Sequence, residues 1–496
     1  MTTTMRRGEM AADRRSKPQR SRQGVVILPL LFVLLVVTCA SQSQHTLLPV
    51  AEAAEARGEG GSGFAGVAAA AAQEEEEERE AAIERFRKYL SIHTEQPKPN
   101  YEEAAAFLFA QAEEIGLKAQ RIDLVPGKPV ILMTWQGKDT QLPSILLNSH
   151  VDVVPVENDK WFHDPFAAVR TAEGNVYARG AQDMKSVGMQ YLEAIRVLRG
   201  KGSGKEAGEA GTGAGFEPLR TVHLSFVPDE EIGGHDGMEK LVKWEGFDSL
   251  GVGFALDEGL PSEGSDYKVF NAERGGFWVM ITAKGKPGHG SMMYDGSATE
   301  NLIRSLNAIL EFRRSQFELV KSGKAELGEV ISANVDFLRA GKEGPQGPVI
   351  NVQPSEAVAG IDFRLPPTAD VEAFRRRVEV EWAPEHRNMS FAVAQGVVRG
   401  KGGKPLITAV DDSNPYWDVF RKAVEKSGVP LSKPGIFVAS TDARYLRAAG
   451  VPTLGFTPIR NTPVLLHAHN EILRRGCAVL SISISISISS FAIPPS

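Results

Sequence analysis

Cysteine is nearly absent from this 496-residue chain, in which Cys39 and Cys477 are the only two. A disulfide framework and a cysteine-rich zinc ribbon are both excluded, so any metal centre has to be built from His, Asp and Glu. An excess of basic charge is missing as well, because 56 Lys and Arg stand against 62 Asp and Glu for a formal net charge of -6. Binding to a phosphate backbone depends on such an excess, and nucleic acid is therefore not an expected partner. Long apolar runs are limited to one, Val25 to Ala40, which excludes a polytopic membrane protein. What remains is 42% hydrophobic and 24% charged residues, the composition of a globular chain. At about 150 residues per domain, its length leaves room for roughly three domain-sized units.

The single apolar run follows a basic stretch, Arg6 to Arg22, and is nearer the length of a secretory signal than of a membrane span. Thr38 and Ala40 suit the small-residue rule for cleavage. Residues 1–40 are therefore expected to be a signal peptide or signal anchor, which points to the secretory pathway or a membrane, with the cytoplasm as the alternative. Cleavage near Ala40 would remove Cys39 and leave Cys477 without an intramolecular partner. Residues 41–78 are largely Ala, Gly, Glu and Ser and are expected to be a low-complexity linker. The acidic run Glu74 to Glu78 then falls at the favourable N-terminal end of a helix that continues through Leu90. A second low-complexity stretch, within 200–217, reads as a surface loop insertion. From Ser481 to Ser489 Ser and Ile alternate strictly, which reads either as an edge strand prone to self-association or as the replacement of a final helix.

Between these ends, strand-like and helical patterns alternate. Ser144 to Val156 opens with a short apolar run, Ser186 to Leu198 has helical spacing, and Thr221 to Glu231 and Val252 to Gly259 are strand-like and end in acids. Such alternation predicts an α/β sheet whose function gathers beyond the carboxyl ends of its strands. From about Ala272 to Val393 the order changes to several strands with a helix, in which Ser297 and Glu300 have capping-box spacing. A small α+β domain inserted in the larger one is expected there. The α/β pattern resumes with Tyr416 to Gly428 and Val451 to Phe456.

Five clusters carry candidate chemistry: His150 with Asp152, Asp183, Glu230 with Glu231 and Asp257 with Glu258, all four at predicted strand ends, and His467, His469 and Glu471 near the C-terminus. One strand-end His or one Glu pair is more often structural than functional. Two His and several carboxylates together supply ligands of the kind Zn²⁺ accepts, and a carboxylate can bridge two ions. On a strand, residues i and i+2 face the same side, so Asp152 is placed to orient the imidazole of His150. Adjacent Glu230 and Glu231 invite a division of labour, with one binding metal and the other moving a proton.

The strings SHVDVVP, YARGAQDMKS, VPDEEIGG, ALDEG, GKPGHGS and LLHAHNE resemble, in this order, the motifs of the metallopeptidase M20 family. LLNSHVDVVPV, WFHDPF, RGAQDMK, DDSNPYW and TPVLLH are similar to its aminoacylase branch. The likeness runs from about Glu80 to Leu473 and implies an α/β, zinc-exopeptidase-like catalytic domain at 79–271 and 395–480. A smaller inserted α+β lid and dimerisation domain would occupy 272–394, with an abnormal tail at 481–496. It also implies two Zn²⁺ per subunit held by His150, Asp183 as bridge, Glu231, Glu258 and His467. His467 is preferred to His469 because only it stands four residues before Glu471. Glu230 matches the general base and Asp152 the residue that orients the first His. His289 matches an oxyanion-stabilising His that reaches a partner subunit's site, and Asn351 and Arg364 match substrate-holding positions. The implied reaction is hydrolysis of small N-acyl-L-amino acids with aliphatic side chains by a homodimer formed through the lid. An N-terminal membrane contact follows only if the leader is retained. The alternatives are another M20 hydrolase, acting as a dipeptidase, carboxypeptidase or deacylase, and a non-catalytic metal-bearing dimeric binding protein.

Overall fold

The computed structural model describes residues 61–200 and 216–475. The expected leader, both cysteines, most of the Gly-rich insertion and the Ser-Ile tail lie outside the described residues. Among the described residues no helix is long and apolar enough to cross a membrane.

Helix α1 (Gly61–Leu90) begins well inside the stretch expected to be a linker. Its start contains Ala68 to Ala72, the strongest of helix formers, which carry the helix back beyond the acids. Glu74 to Glu78 therefore lie in mid-helix, and the first turn holds no acid. Helix α2 (Tyr101–Ile115) is capped by the Asn100 side chain, which accepts from Glu103 N–H, and ends at Gly116 with φ +79°. Strands β1 (Lys118–Val125), β2 (Lys128–Trp135) and β3 (Ser144–His150) follow, then helix α3 (Lys185–Leu198) and strands β4 (Val222–Val227), β5 (Val252–Asp257) and β6 (Val269–Glu273). β3 and β4 are buried at every position, as strands covered on both faces must be.

Two residues later the chain enters a separate antiparallel sheet. It comprises β7 (Gly275–Lys284), helix α4 (Ala298–Lys321), β8 (Ser332–Ala340), β9 (Glu356–Leu365), helix α5 (Val371–Arg377) and β10 (Met389–Gln395) in the order β8-β9-β7-β10. Ser297 caps α4 by accepting from Glu300 N–H, while Glu300 itself pairs with Arg304, so one half of the expected capping box is used. One face of this sheet buries Phe363, Phe374 and Trp382 in an aromatic cluster under the helices. The other face leaves Trp278 and Phe337 exposed.

The chain then returns to the first sheet through helix α6 (Pro415–Lys426), β11 (Gly435–Phe437), helix α7 (Ala443–Ala449) and β12 (Thr453–Phe456). Eight strands lie in the order β1-β2-β4-β3-β5-β12-β6-β11, with β4, β3, β5 and β12 parallel neighbours. Apolar cores cover both faces, one under α1 to α3 and one under α7. The protein is thus an α/β domain with a smaller inserted α+β domain. Its parallel centre brings the carboxyl ends of β3, β4 and β5 side by side.

Candidate metal centre

His150 is the last residue of β3, Glu230 and Glu231 stand three and four residues beyond β4, and Glu258 directly follows β5. Asp183 differs from its expected place at a strand end, since it lies in the irregular segment that leads into α3. His467 comes from a C-terminal loop, where it has φ +62°. The fold draws these five into two groups. His150, Asp183 and Glu258 form one, and Asp183, Glu231 and His467 the other, with the ligating atoms of each group within 4.8 Å of one another. Asp183 Oδ1 is 3.1 Å from His150 Nε2, whereas its Oδ2 is 3.2 Å from His467 Nε2. His467 Nε2 is also 3.0 Å from Glu231 Oε2. His469 belongs to neither group and faces Glu157 at 3.8 Å.

The donor set fits divalent metal. His150 Nδ1 lies 2.9 Å from the carbonyl oxygen of Asp152. A carbonyl only accepts, so Nδ1 carries a proton, and Nε2 faces the Asp183 carboxylate. That contact is held by a proton on Nε2 when no metal is bound, and a metal ion can take the proton's place. Electrostatics point the same way. Burial, reinforced by the Asp183 charge, pushes the Glu231 carboxyl up to about 8 and that of Glu258 well above the usual range. Hydrogen bonds that the Asp183 and Glu231 carboxylates accept raise His467 to about 10. Both effects express an excess of buried negative charge, which a bound cation would offset. Glu231 Oε1 is buried with no hydrogen-bond partner, as expected of an atom meant for an ion.

Asp152 adjoins His150 by a route other than strand periodicity. β3 ends at His150, so the same-face rule for strand residues does not reach Asp152. The main-chain carbonyl of Asp152 holds the imidazole, and its carboxylate Oδ1 is 3.5 Å from Nδ1. The carboxylate instead accepts from Glu230 N–H at 3.1 Å, Glu231 N–H at 3.3 Å and Gln96 Nε2 at 2.8 Å. One acid therefore fixes the first His ligand and the Glu pair together. Burial pushes the Glu230 carboxyl up to about 7, against the pull of Arg444.

Arg444, on α7, is a residue that sequence reasoning missed. Its buried guanidinium lies 3.3 Å from Glu230 Oε1 and donates to the carbonyls of Gly233 and Thr441. Gln182 and Glu471 were also without a role in that reading. They join the Asp183 segment to the His467 loop. A signal existed for Glu471, its fixed spacing from His467, but none for Arg444.

The structure does not bring His289, Asn351 and Arg364 to this cluster. His289 is exposed in a two-residue pairing with Val352, and Asn351 lies in the adjoining turn. The Ser291 backbone N–H donates to His289 Nδ1 at 3.2 Å, so in the neutral ring the proton sits on Nε2 and is free to be donated. Arg364, on β9, is held by Asp362 through Nε and Nη2 at 2.8 and 2.9 Å. Its Nη1 remains available.

Residues 146–486 match the model of Peptidase family M20/M25/M40. The chain is 42% identical to Aminoacylase-1 of Mus musculus over 405 residues, covering 81% of this chain and 93% of that protein. It is 41% identical to Aminoacylase-1 of Dictyostelium discoideum, covering 81% and 95%. Among solved structures, an M20 family metallo-carboxypeptidase from Sulfolobus solfataricus shares the fold, with a TM-score of 0.62 at 17% identity over 83% of this chain and 99% of that one.

Proposed function

This chain belongs to peptidase family M20/M25/M40, and from that premise we propose that it is a zinc-dependent amidohydrolase that cleaves N-acyl-L-amino acids with aliphatic side chains. The observation that carries the reading is Asp183, whose two oxygens each face a separate ligand group. Identity of 41–42% across nearly the full length of proteins named Aminoacylase-1 supports the substrate class.

Two ions would be held by His150, Asp183 and Glu258 and by Asp183, Glu231 and His467. When bound, zinc supplies Lewis acidity to an acyl carbonyl and lowers the pKa of water. The remaining work falls to side chains. Glu230, its backbone anchored by Asp152 and its carboxylate beside Arg444, takes a proton from the attacking water as the O–C bond forms. It then delivers that proton to the amide nitrogen as the C–N bond breaks. A carboxylate and a free amino acid result. His289 Nε2–H suits the developing oxyanion, and the free edge of Arg364 suits the α-carboxylate that every N-acyl amino acid carries. Both reach a cluster when a second subunit docks through the smaller sheet. The exposed Met293 and Ile350 beside His289 and Asn351, and the exposed edge strand β8, favour such a dimer.

The test is release of methionine from N-acetyl-L-methionine by the zinc-loaded protein. Release is expected to stop on chelation and to return with Zn²⁺. A zinc-bearing protein that leaves this substrate intact while cleaving dipeptides would move the activity to the peptidase branch.

A further inference from the structure

The ligand loops at Asp183 and His467 have unusual backbones. Residues 179–183 form neither helix nor strand, and the α3 N-terminus that follows has no side-chain cap. In the other loop His467 and Asn470 hold φ +62° and +57°, a region that non-glycine residues adopt only when their surroundings enforce it. The His467 side chain is 55% exposed, so core packing does not orient it. Something else has to.

Glu471 is fully buried, and all four donors to its carboxylate come from the Asp183 segment. Oε1 accepts from the backbone N–H of Gln182 at 2.5 Å and of Asp183 at 3.2 Å. Oε2 accepts from Gly180 N–H at 3.1 Å and Arg179 Nη1 at 2.9 Å. Converging backbone N–H groups of this kind form a nest for an anion, and here the anion belongs to the other loop. The tie runs back as well. Gln182 Nε2 donates to the carbonyls of Pro463 and Ile472, its Oε1 accepts from Leu465 N–H, and Arg179 donates to the carbonyls of Ala468 and His467.

We infer that Glu471, together with Gln182, is a positioning residue that fixes the Asp183 carboxylate against His467 and so sets how tightly the ion between Asp183, Glu231 and His467 is held. This rests on the two-ion reading above. The other group depends less on the tie, because His150 is buried and oriented by the Asp152 carbonyl. Glu471→Gln is nearly isosteric, yet in either amide orientation its NH₂ faces two donors.

The experiment titrates zinc-loaded full-length protein with a chelator, counts the zinc retained, and records melting temperatures with and without zinc. The wild type is expected to hold two equivalents. Glu471→Gln is expected to release one of them at about ten- to a hundredfold lower chelator strength, the range typical of residues behind metal ligands, and to keep the other as the wild type does. The rise in melting temperature caused by zinc should shrink in the variant, whereas a purely structural role would lower both melting temperatures equally. Gln182→Ala should show the same selective loss to a smaller extent, which keeps the inference testable if Glu471→Gln does not fold. Loss of both equivalents together, or retention of both with wild-type affinity, would overturn the inference and leave the proposed function standing. A wild type holding fewer than two equivalents would instead overturn the two-ion reading.

Discussion

The cluster at the carboxyl ends of β3, β4 and β5 differs from the polar residues on the smaller sheet in what holds each of them. In the cluster the acids are fixed by distant parts of the chain, Glu230 by Asp152 and Arg444 and Asp183 by Glu471, and only His150 is held locally, by the Asp152 carbonyl. On the smaller sheet the partners are local. His289 is bonded to Ser291 and Arg364 to Asp362, each two residues away. A preorganised metal-facing part beside an exposed substrate-facing part fits the proposed division of the site between two subunits. Exact placement matters most where charge moves, and looser display suffices where a second subunit completes the contact.

The largest expected effect comes from breaking the preorganised part. Glu230→Gln should retain zinc and melt near the wild type, yet lose on the order of 10³-fold or more in kcat, the scale of general acid–base work. Substantial remaining turnover would remove Glu230 as the base. His289→Ala should lose somewhat less. Mixing the two inactive variants and allowing subunits to exchange then tests the division itself. If His289 serves the partner's cluster, half the dimers are mixed and each carries one intact site, so roughly a quarter of wild-type activity returns. If His289 serves its own chain, none does.

Next in size is the substrate-facing part. Arg364→Lys keeps the charge and loses the planar fork, and KM for N-acetyl-L-methionine should rise about tenfold with kcat little changed. Asp362 remains paired in that variant, so folding is spared. A fall in kcat at constant KM would place Arg364 with the chemistry rather than with the α-carboxylate.

The two parts also differed in how far they could be read from sequence. His150, Glu230 with Glu231, and Glu258 stand out because each lies at or just past the end of an apolar run, and that spacing is local. The same logic reached Asp152 for the wrong reason, since its i+2 position has no strand beneath it, although Asp152 does lie against His150. It also misplaced the acidic run by about a dozen residues, because the alanines before that run are helix formers even without an apolar face. Arg444 was not legible at all. On α7 it reads as one more helical charge, and only the fold sets it against a carboxylate 214 residues earlier. Gln182 is similar, since its amide saturates a loop about 280 residues away. Motifs reveal the atoms that touch the ligand, whereas the atoms that aim them are chosen by topology.

The smallest effect concerns stability rather than catalysis, and it should separate the two sheets. His223, in β4, is buried with Nδ1 3.0 Å from Thr134 Oγ1, and burial lowers its pKa to about 4. The two described histidines of the inserted domain, His289 and His386, are exposed. In the unfolded chain His223 takes up a proton as pH falls through about 6.5, while in the folded sheet it stays neutral until about 4. The unfolded state therefore binds more protons across that window, and stability is lost as pH falls from about 6.5 to 4. His223→Asn keeps an acceptor where Nδ1 stood and cannot titrate. Its melting temperature should fall less steeply across the window than that of the wild type, by a few degrees for a domain of this size. Measuring metal-free protein keeps the acid-driven loss of zinc out of the comparison. Equal slopes for variant and wild type would mean that the acid sensitivity of the large sheet does not arise at His223, and Glu230, Glu231 and Glu258 could not supply it, because their raised pKa values let the folded state bind protons first and so favour it as pH falls.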